Sequence, residues 1–99
     1  MSYAVRYTKA AKDDIVRLYD FLLGQDLAAA RKALKAIEKG IAFLKDFPFT
    51  CRKATPEDPL LREMIISFGT WGYVVLFEIE NNKTVTILAV RHQREEDYH

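Results

Sequence analysis

Cysteine occurs once in this chain of 99 residues, histidine twice and proline three times, and each scarcity closes off a class of protein. The lone Cys51 makes no internal disulfide, which excludes a disulfide-stapled secreted scaffold and points to a reducing compartment, the cytoplasm. Cys51, His92 and His99 do not match the spacing of a zinc site, so no metal and no cofactor are expected. No apolar run approaches the roughly 18 residues of a membrane span, and Met1-Ser2-Tyr3-Ala4-Val5-Arg6 lacks the layout of a signal peptide. Four glycines form no phosphate-binding loop, and neither a Gly-x-Ser-x-Gly turn nor a Cys/His nucleophile arrangement occurs. Excess charge is missing too: fifteen Lys and Arg face fourteen Asp and Glu, a net charge of +1. That balance is far from the strongly basic surface of a dedicated nucleic-acid binder. What the chain does have is apolar matter, 49% of residues against 29% charged, enough for one small domain over residues 1–99 with its own core.

The near-neutral total hides a split. Residues 1–56 carry eleven Lys and Arg and six Asp and Glu (+5), and residues 57–99 carry four and eight (−4). Either chance in a short chain or a surface meant for a charged partner would produce this.

Tyr3-Ala4-Val5-Arg6-Tyr7 reads as a first strand. Thr8 then has the character of a helix N-cap, and Ala11, Ile15, Leu18 and Leu22 recur at helical spacing up to Gly24. Asp26 caps a second helix whose stripe is Ala30, Ala33, Leu34, Ile37, Ile41 and Leu44, ending at Phe47-Pro48 after about 30 Å. The short connection makes the two helices an antiparallel hairpin. Residues 48–59 hold all three prolines without periodicity and read as a loop. Three strand-like runs follow, Leu61 to Phe68, Tyr73 to Ile79 and Val85 to Arg91, with turns at Gly69-Thr70-Trp71-Gly72 and Asn81-Asn82. The expected order is β-α-α-β-β-β, an α+β fold in which an antiparallel sheet packs against an N-terminal helical hairpin, with the nearly all-apolar Tyr73–Ile79 run as a central strand.

Both helices are more apolar than one contact face requires. Ala36, Gly40, Phe43 and Phe47 add a second stripe to helix two, and Val16, Tyr19, Phe21 and Leu23 lie outside the main stripe of helix one. Gly40 in mid-helix costs about 1 kcal/mol relative to alanine, so something should approach its backbone closely. Two readings stand: the helices bury these residues against each other, or they form a groove for another chain. On the sheet half the residues suited to chemistry are Arg62, Glu63, Arg91, His92, Gln93, Arg94, Tyr98 and His99. Pairing of strands could bring Arg62 and Arg91 together as a clamp for phosphate or carboxylate, with His92 and Tyr98 available for proton transfer.

The tail Ile87-Leu88-Ala89-Val90-Arg91-His92-Gln93-Arg94-Glu95-Glu96-Asp97-Tyr98 comes after Leu61-Arg62-Glu63, Phe68-Gly69 and Tyr73-Val74-Val75-Leu76-Phe77. Together with Tyr7-Thr8-Lys9-Ala10-Ala11-Lys12-Asp13-Asp14-Ile15 near the start, it resembles the RelE/ParE toxin superfamily, and most closely its ParE-like branch. The likeness extends over essentially the whole chain, and its short motifs gain their weight from occurring together. It implies the toxin of a type II toxin–antitoxin pair, associated with growth inhibition and plasmid stabilisation. The expected partners are DNA gyrase as target and a ParD-like antitoxin that folds as a helix or extended segment onto the helical hairpin, in a hetero-oligomer. The antitoxin surface would then be Val16, Tyr19, Leu23, Ala36, Gly40, Phe43 and Phe47. Arg62, Arg91, His92, Arg94 and Tyr98 would contact the target, with no sequence-specific nucleic-acid binding by the toxin alone and no membrane partner. The alternative is a RelE-like, ribosome-dependent mRNA endonuclease using Arg62, Arg91, His92 and Tyr98. A net charge of +1 disfavours a protein that must neutralise many RNA phosphates, and Glu63 should point away from Arg62 across the strand. The reading therefore leans towards a poison that acts by binding rather than an enzyme.

Overall fold

The computed structural model describes residues 2–94. Strand β1 (Ala4–Tyr7) leads into helix α1 (Lys9–Leu23) and helix α2 (Leu27–Phe43), followed by a short 3-10 turn at Pro48–Thr50. Four further strands complete the order: β2 (Arg52–Thr55), β3 (Asp58–Phe68), β4 (Trp71–Ile79) and β5 (Thr84–His92).

The helix starts are set by the polar residues before them. The Thr8 side chain accepts the amide of Ala11 at 3.0 Å, and the Asp26 carboxylate accepts that of Ala28 at 2.9 Å, each satisfying a donor the first turn leaves over. Helix α2 stops four residues earlier than its apolar stripe suggests. The amides of Leu44, Lys45 and Asp46 bond to carbonyls only three residues back, so the last turn tightens. Phe47, restricted by Pro48, still donates its amide to the Phe43 carbonyl at 3.1 Å but leaves helical backbone angles.

The five strands form one sheet in the order β1-β5-β4-β3-β2. Strands β3, β4 and β5 make the expected antiparallel meander, with β4 in the centre. Two features go beyond the expected β-α-α-β-β-β order, which left the place of the first strand in the sheet open. Strand β1 joins the outer edge of β5 in parallel, with Ala4 opposite Thr84 and Tyr7 opposite Ile87, so the sheet is mixed. The proline-rich stretch also contains β2, which turns back onto β3 through Pro56-Glu57. Because β2 is an edge strand, Arg52-Lys53-Ala54-Thr55 needs no alternating apolar face, and its sequence carries little strand signal.

Both helices lie on one face of the sheet, α1 over β5 and α2 over β3. Ala11, Leu18, Ala33, Ile37, Ile41 and Leu44 from the helices meet Met64, Ile66, Tyr73, Val75, Phe77, Ile79, Val85, Ile87 and Val90 in the core. Gly40 belongs to this contact. A Cβ there would stand 2.7 Å from the Ile66 Cδ1 atom and 3.3 Å from the Met64 Cε atom. The close approach expected at Gly40 is therefore made by the protein's own sheet.

Strand β5 carries a bulge. Leu76 pairs with Ala89 and Phe77 with Ile87, which leaves Leu88 as the extra residue. Beyond Ile87 the edge of β5 has lost its β1 partner, and the start of α1 takes over the bonding. The Thr8 amide donates to the Ile87 carbonyl at 3.0 Å, and the Thr8 hydroxyl donates to the Leu88 carbonyl at 3.2 Å. The Asp14 carboxylate, buried at 5% exposure, accepts the Val90 amide at 3.0 Å. Replacing a buried acceptor strands its donor, so Asp14→Ala should lower unfolding stability by about 2 kcal/mol. Asp14→Asn, which keeps a carbonyl acceptor of the same reach, should cost less. Urea denaturation of the three proteins tests this, and equal stabilities would contradict the role given to Asp14.

Candidate functional site

The bulge decides which side chains of the last strand face the helices. Before it, Val85 and Ile87 point to the helical side; after it, Val90 and His92 do, and Arg91 is turned to the opposite face beside Val74. His92 accordingly meets the ring of Tyr73 edge-on, with centroids 5.6 Å apart, and Tyr73 in turn lies 5.9 Å from Phe68.

These three residues form the floor of a groove of about 740 Å³ between the C-terminal half of α1 and the β3–β4 turn. Phe21 and Leu22 of α1 supply one wall, and Trp71 at the start of β4 supplies the other. Gly69 shapes this rim. Its positive φ of 61° opens a two-residue hairpin loop, closed by the Phe68–Trp71 pair, that lifts Trp71 into solvent at 49% exposure. Phe21 is 66% exposed. Two guanidinium groups border the groove: Arg17 on the α1 side and Arg94, which stacks over the Trp71 ring at 5.2 Å. The Arg94 amide also donates to the His92 Nδ1 atom at 3.1 Å, fixing the end of β5 against the groove. Burial pushes the Tyr73 phenol above its ordinary value, so it stays neutral at physiological pH. The site thus joins exposed aromatic surface to two cations, as suits a protein side chain or an acidic segment.

Of the residues expected to contact a target, His92 and Arg94 come together here. Arg62 does not. It lies six residues before Phe68 on β3, roughly 20 Å along the strand. It shares a row with Phe77 on the helical side, whereas Arg91 faces the other way, so strand pairing does not unite the two arginines. Arg62 instead ties the segment before β2 to the start of β3. Its Nε donates to the Pro59 carbonyl at 2.6 Å, its Nη1 donates to the carbonyls of Cys51 at 2.8 Å and Phe49 at 3.2 Å, and its guanidinium stacks on the Phe49 ring at 5.3 Å. Glu63 points to the opposite face and pairs with Arg52 at 3.1 Å. Tyr98 and His99 lie outside the described residues. Nor is Cys51 a ready nucleophile: burial raises its thiol pKa, against weaker opposing pulls from Thr50 and Arg62.

The residues expected to receive an antitoxin are scattered. Val16 and Leu23 stand exposed on α1, with Tyr19 half-buried beside them. Ala36, partly buried, packs against the core, and Gly40, also partly buried, lies against Ile66. Phe43 and Phe47 are exposed and stacked, with centroids 5.2 Å apart, at the far end of α2 from the turn that joins the helices. Phe47 reaches Phe43 from the turn after the helix, not along a helical stripe. Phe68 and Trp71, read from sequence as strand and turn, are the site residues missed. A large aromatic between two glycines of a tight turn was the available signal, because a turn has little interior in which to bury it.

No cluster of three or more possible metal-ligating side chains occurs among the described residues, and none of their helices is long and apolar enough to cross a membrane. The fold, a helical hairpin on a five-stranded mixed sheet, is shared with a solved structure described as "Chromosomal ParDE TA system from P. aeruginosa". The match has a TM-score of 0.71 at 20% identity and covers 92% of this chain and 96% of that one. No curated protein sequence matches. The family described as "ParE toxin of type II toxin-antitoxin system, parDE" matches over residues 5–97, and the chain belongs to it.

Arg62 is therefore a structural residue in this fold, and its replacement separates stability from binding. Arg62→Ala should destabilise the protein by about 1–2 kcal/mol through three lost charge-assisted bonds at a partly exposed site. The groove of the purified variant should be unaltered, as followed by Trp71 fluorescence below the unfolding transition. A changed Trp71 signal in the native baseline would show that Arg62 also shapes the groove.

Proposed function

We propose that this ParE-family toxin acts in the cytoplasm by binding DNA gyrase, and that a ParD-like antitoxin silences it by occupying the exposed apolar surface of the helical hairpin. The observation that carries the reading is the groove, where His92 and Arg94 stand with Trp71, Phe68 and Phe21 around a concave aromatic surface. Aromatic and arginine side chains of this kind dominate protein interfaces, where a few anchors supply most of the affinity. The gyrase contact is assigned to this end of the molecule. The antitoxin is assigned to Val16, Tyr19 and Leu23, with Phe43 and Phe47 as a second anchor at the other end of α2. Antitoxin binding at two separated anchors suits a segment that is disordered when free and wraps the toxin as it folds. Ribosome-dependent cleavage of mRNA fits less well, since the arginines, the histidine and the glutamate that would share the work are on different faces or far apart.

Purified toxin added to gyrase and relaxed plasmid should inhibit supercoiling. Trp71→Ala and Arg94→Ala should each raise the half-inhibitory concentration at least about tenfold, the loss of one hot-spot residue, with little change in melting temperature. Leu23→Asp should weaken antitoxin binding while leaving inhibition intact. Primer extension on translated mRNA should show no new cuts, and clear cuts in the ribosomal A site would replace gyrase with the message as target.

A further inference from the structure

The outward face of α2 gathers charge of one sign. At about 100° per residue, the arc farthest from the sheet holds Ala28, Arg31, Lys32, Lys35, Lys39 and Ala42. All six are exposed. Four are cations, two are alanines, and there is no carboxylate. None of the four cations has a carboxylate within 4 Å among the described residues, in contrast to Lys9 with Asp13 and Arg52 with Glu63. Glu38 borders the arc, and its charge, after burial, is the second cause of the raised Tyr7 phenol at the end of β1. Arg31, Lys35 and Lys39 repeat at i, i+4 and i+8, a spacing at which like charges destabilise a helix. An ordinary solvated face mixes both signs.

We infer that this face of α2 binds the phosphate backbone of duplex DNA without regard to base sequence. A polyanion is the partner that turns four unpaired cations from a liability into affinity. Between its cations the arc has no side chain larger than alanine, and the one large apolar residue at its border, Phe43, stands at the C-terminal end of the helix beyond Lys39, so the cationic line itself lacks the apolar anchors on which protein interfaces rely. Three of its four cations are lysines, which are depleted at protein interfaces and serve phosphates as mobile point charges. The alanines leave the helix slender enough to lie along a rod, and Arg31 to Lys39 span about 12 Å. Duplex DNA presents roughly seven charges over that length. The low total charge of the chain is compatible with this, because the cations are gathered on one line. The inference deepens the gyrase reading by bringing the toxin into contact with the DNA that gyrase holds, yet it concerns the toxin alone.

The test is fluorescence anisotropy of a labelled 20-base-pair duplex titrated with the full chain, without gyrase, at several salt concentrations. The expected Kd is on the order of 10⁻⁵ M at 50 mM salt, with log affinity falling against log salt at a slope of about −3 to −4 for four contacts. The double variant Lys35→Glu and Lys39→Glu should lose at least tenfold in affinity and flatten the slope by about 2. The same change of net charge at Lys53→Glu and Lys83→Glu, away from α2, should leave the slope unchanged. Lys35→Ala with Lys39→Ala, which favours the helix, keeps the test valid if the reversal harms folding. Equal losses in the two charge-reversal pairs would overturn the proposal, and so would poly-glutamate displacing the duplex as readily as unlabelled DNA. Supercoiling assays on the same proteins separate the two ideas: DNA binding without inhibition would remove gyrase and leave this surface standing.

Discussion

The extra residue in β5 is the constraint on which the functional end of this molecule rests. A bulge reverses the facing of every side chain beyond it, so Leu88 is the reason His92 looks into the groove and Arg91 does not. A bulge at a free edge also leaves backbone groups without a ladder partner, and here the first turns of α1 meet that need. Thr8 both caps its own helix and bonds to the carbonyls of Ile87 and Leu88, while Asp14 takes the Val90 amide. One short stretch of sequence thereby fixes the start of a helix, the end of a parallel pairing and the orientation of the last strand.

From that anchor the rest of the site follows by packing. With His92 on the helical side, Tyr73 and Phe68 continue the row across β4 and β3, and α1 runs past them with Phe21 and Leu22. The β3–β4 hairpin cannot close over this row, because its loop is only two residues long and begins with Gly69 at positive φ. Trp71 is consequently left at the rim, stabilised by Arg94 rather than by burial. At the other end of β3 the same kind of side chain does a different task. Arg62 uses its donors on the carbonyls of Phe49 and Cys51 before β2 and of Pro59 at the start of β3, which makes it a fastening and leaves it little freedom to meet another molecule.

The sequence made plain those elements whose residues obey one period and are capped by polar residues. Both helix starts, the central strand and the meander were readable because Thr8, Asp26 and the unbroken Tyr73–Ile79 run act locally. Strand β2 was hidden because an edge strand can be polar throughout, and the parallel place of β1 because nothing local encodes a neighbour some eighty residues away. Gly40 shows the same limit from the other side. Its cost within the helix announced a close contact, but only the fold reveals that the contact is Ile66 and not a partner. As for the site, His92 and Arg94 were visible by their chemistry. The company they keep was not, since Phe68 and Trp71 reach them only through a hairpin whose bulged neighbour shifts the alternation.

The helical hairpin also shows how one small protein can separate its obligations. A chain of this size has little interior, so each helix has to give one face to the core and still leave another for recognition. The two helices divide that second duty by chemistry. On α1 the outward positions carry Val16, Phe21 and Leu23, surface that water disfavours and another protein can cover. On α2 they carry a line of cations, surface that water tolerates and a polyanion attracts, with the exposed ring of Phe43 only at its C-terminal end. Apolar contacts are short-ranged and hold once made, whereas charge acts over about 10 Å and fades with salt. The two kinds of surface therefore differ in reach as well as in chemistry, the cationic one acting at a distance and the apolar one only on contact.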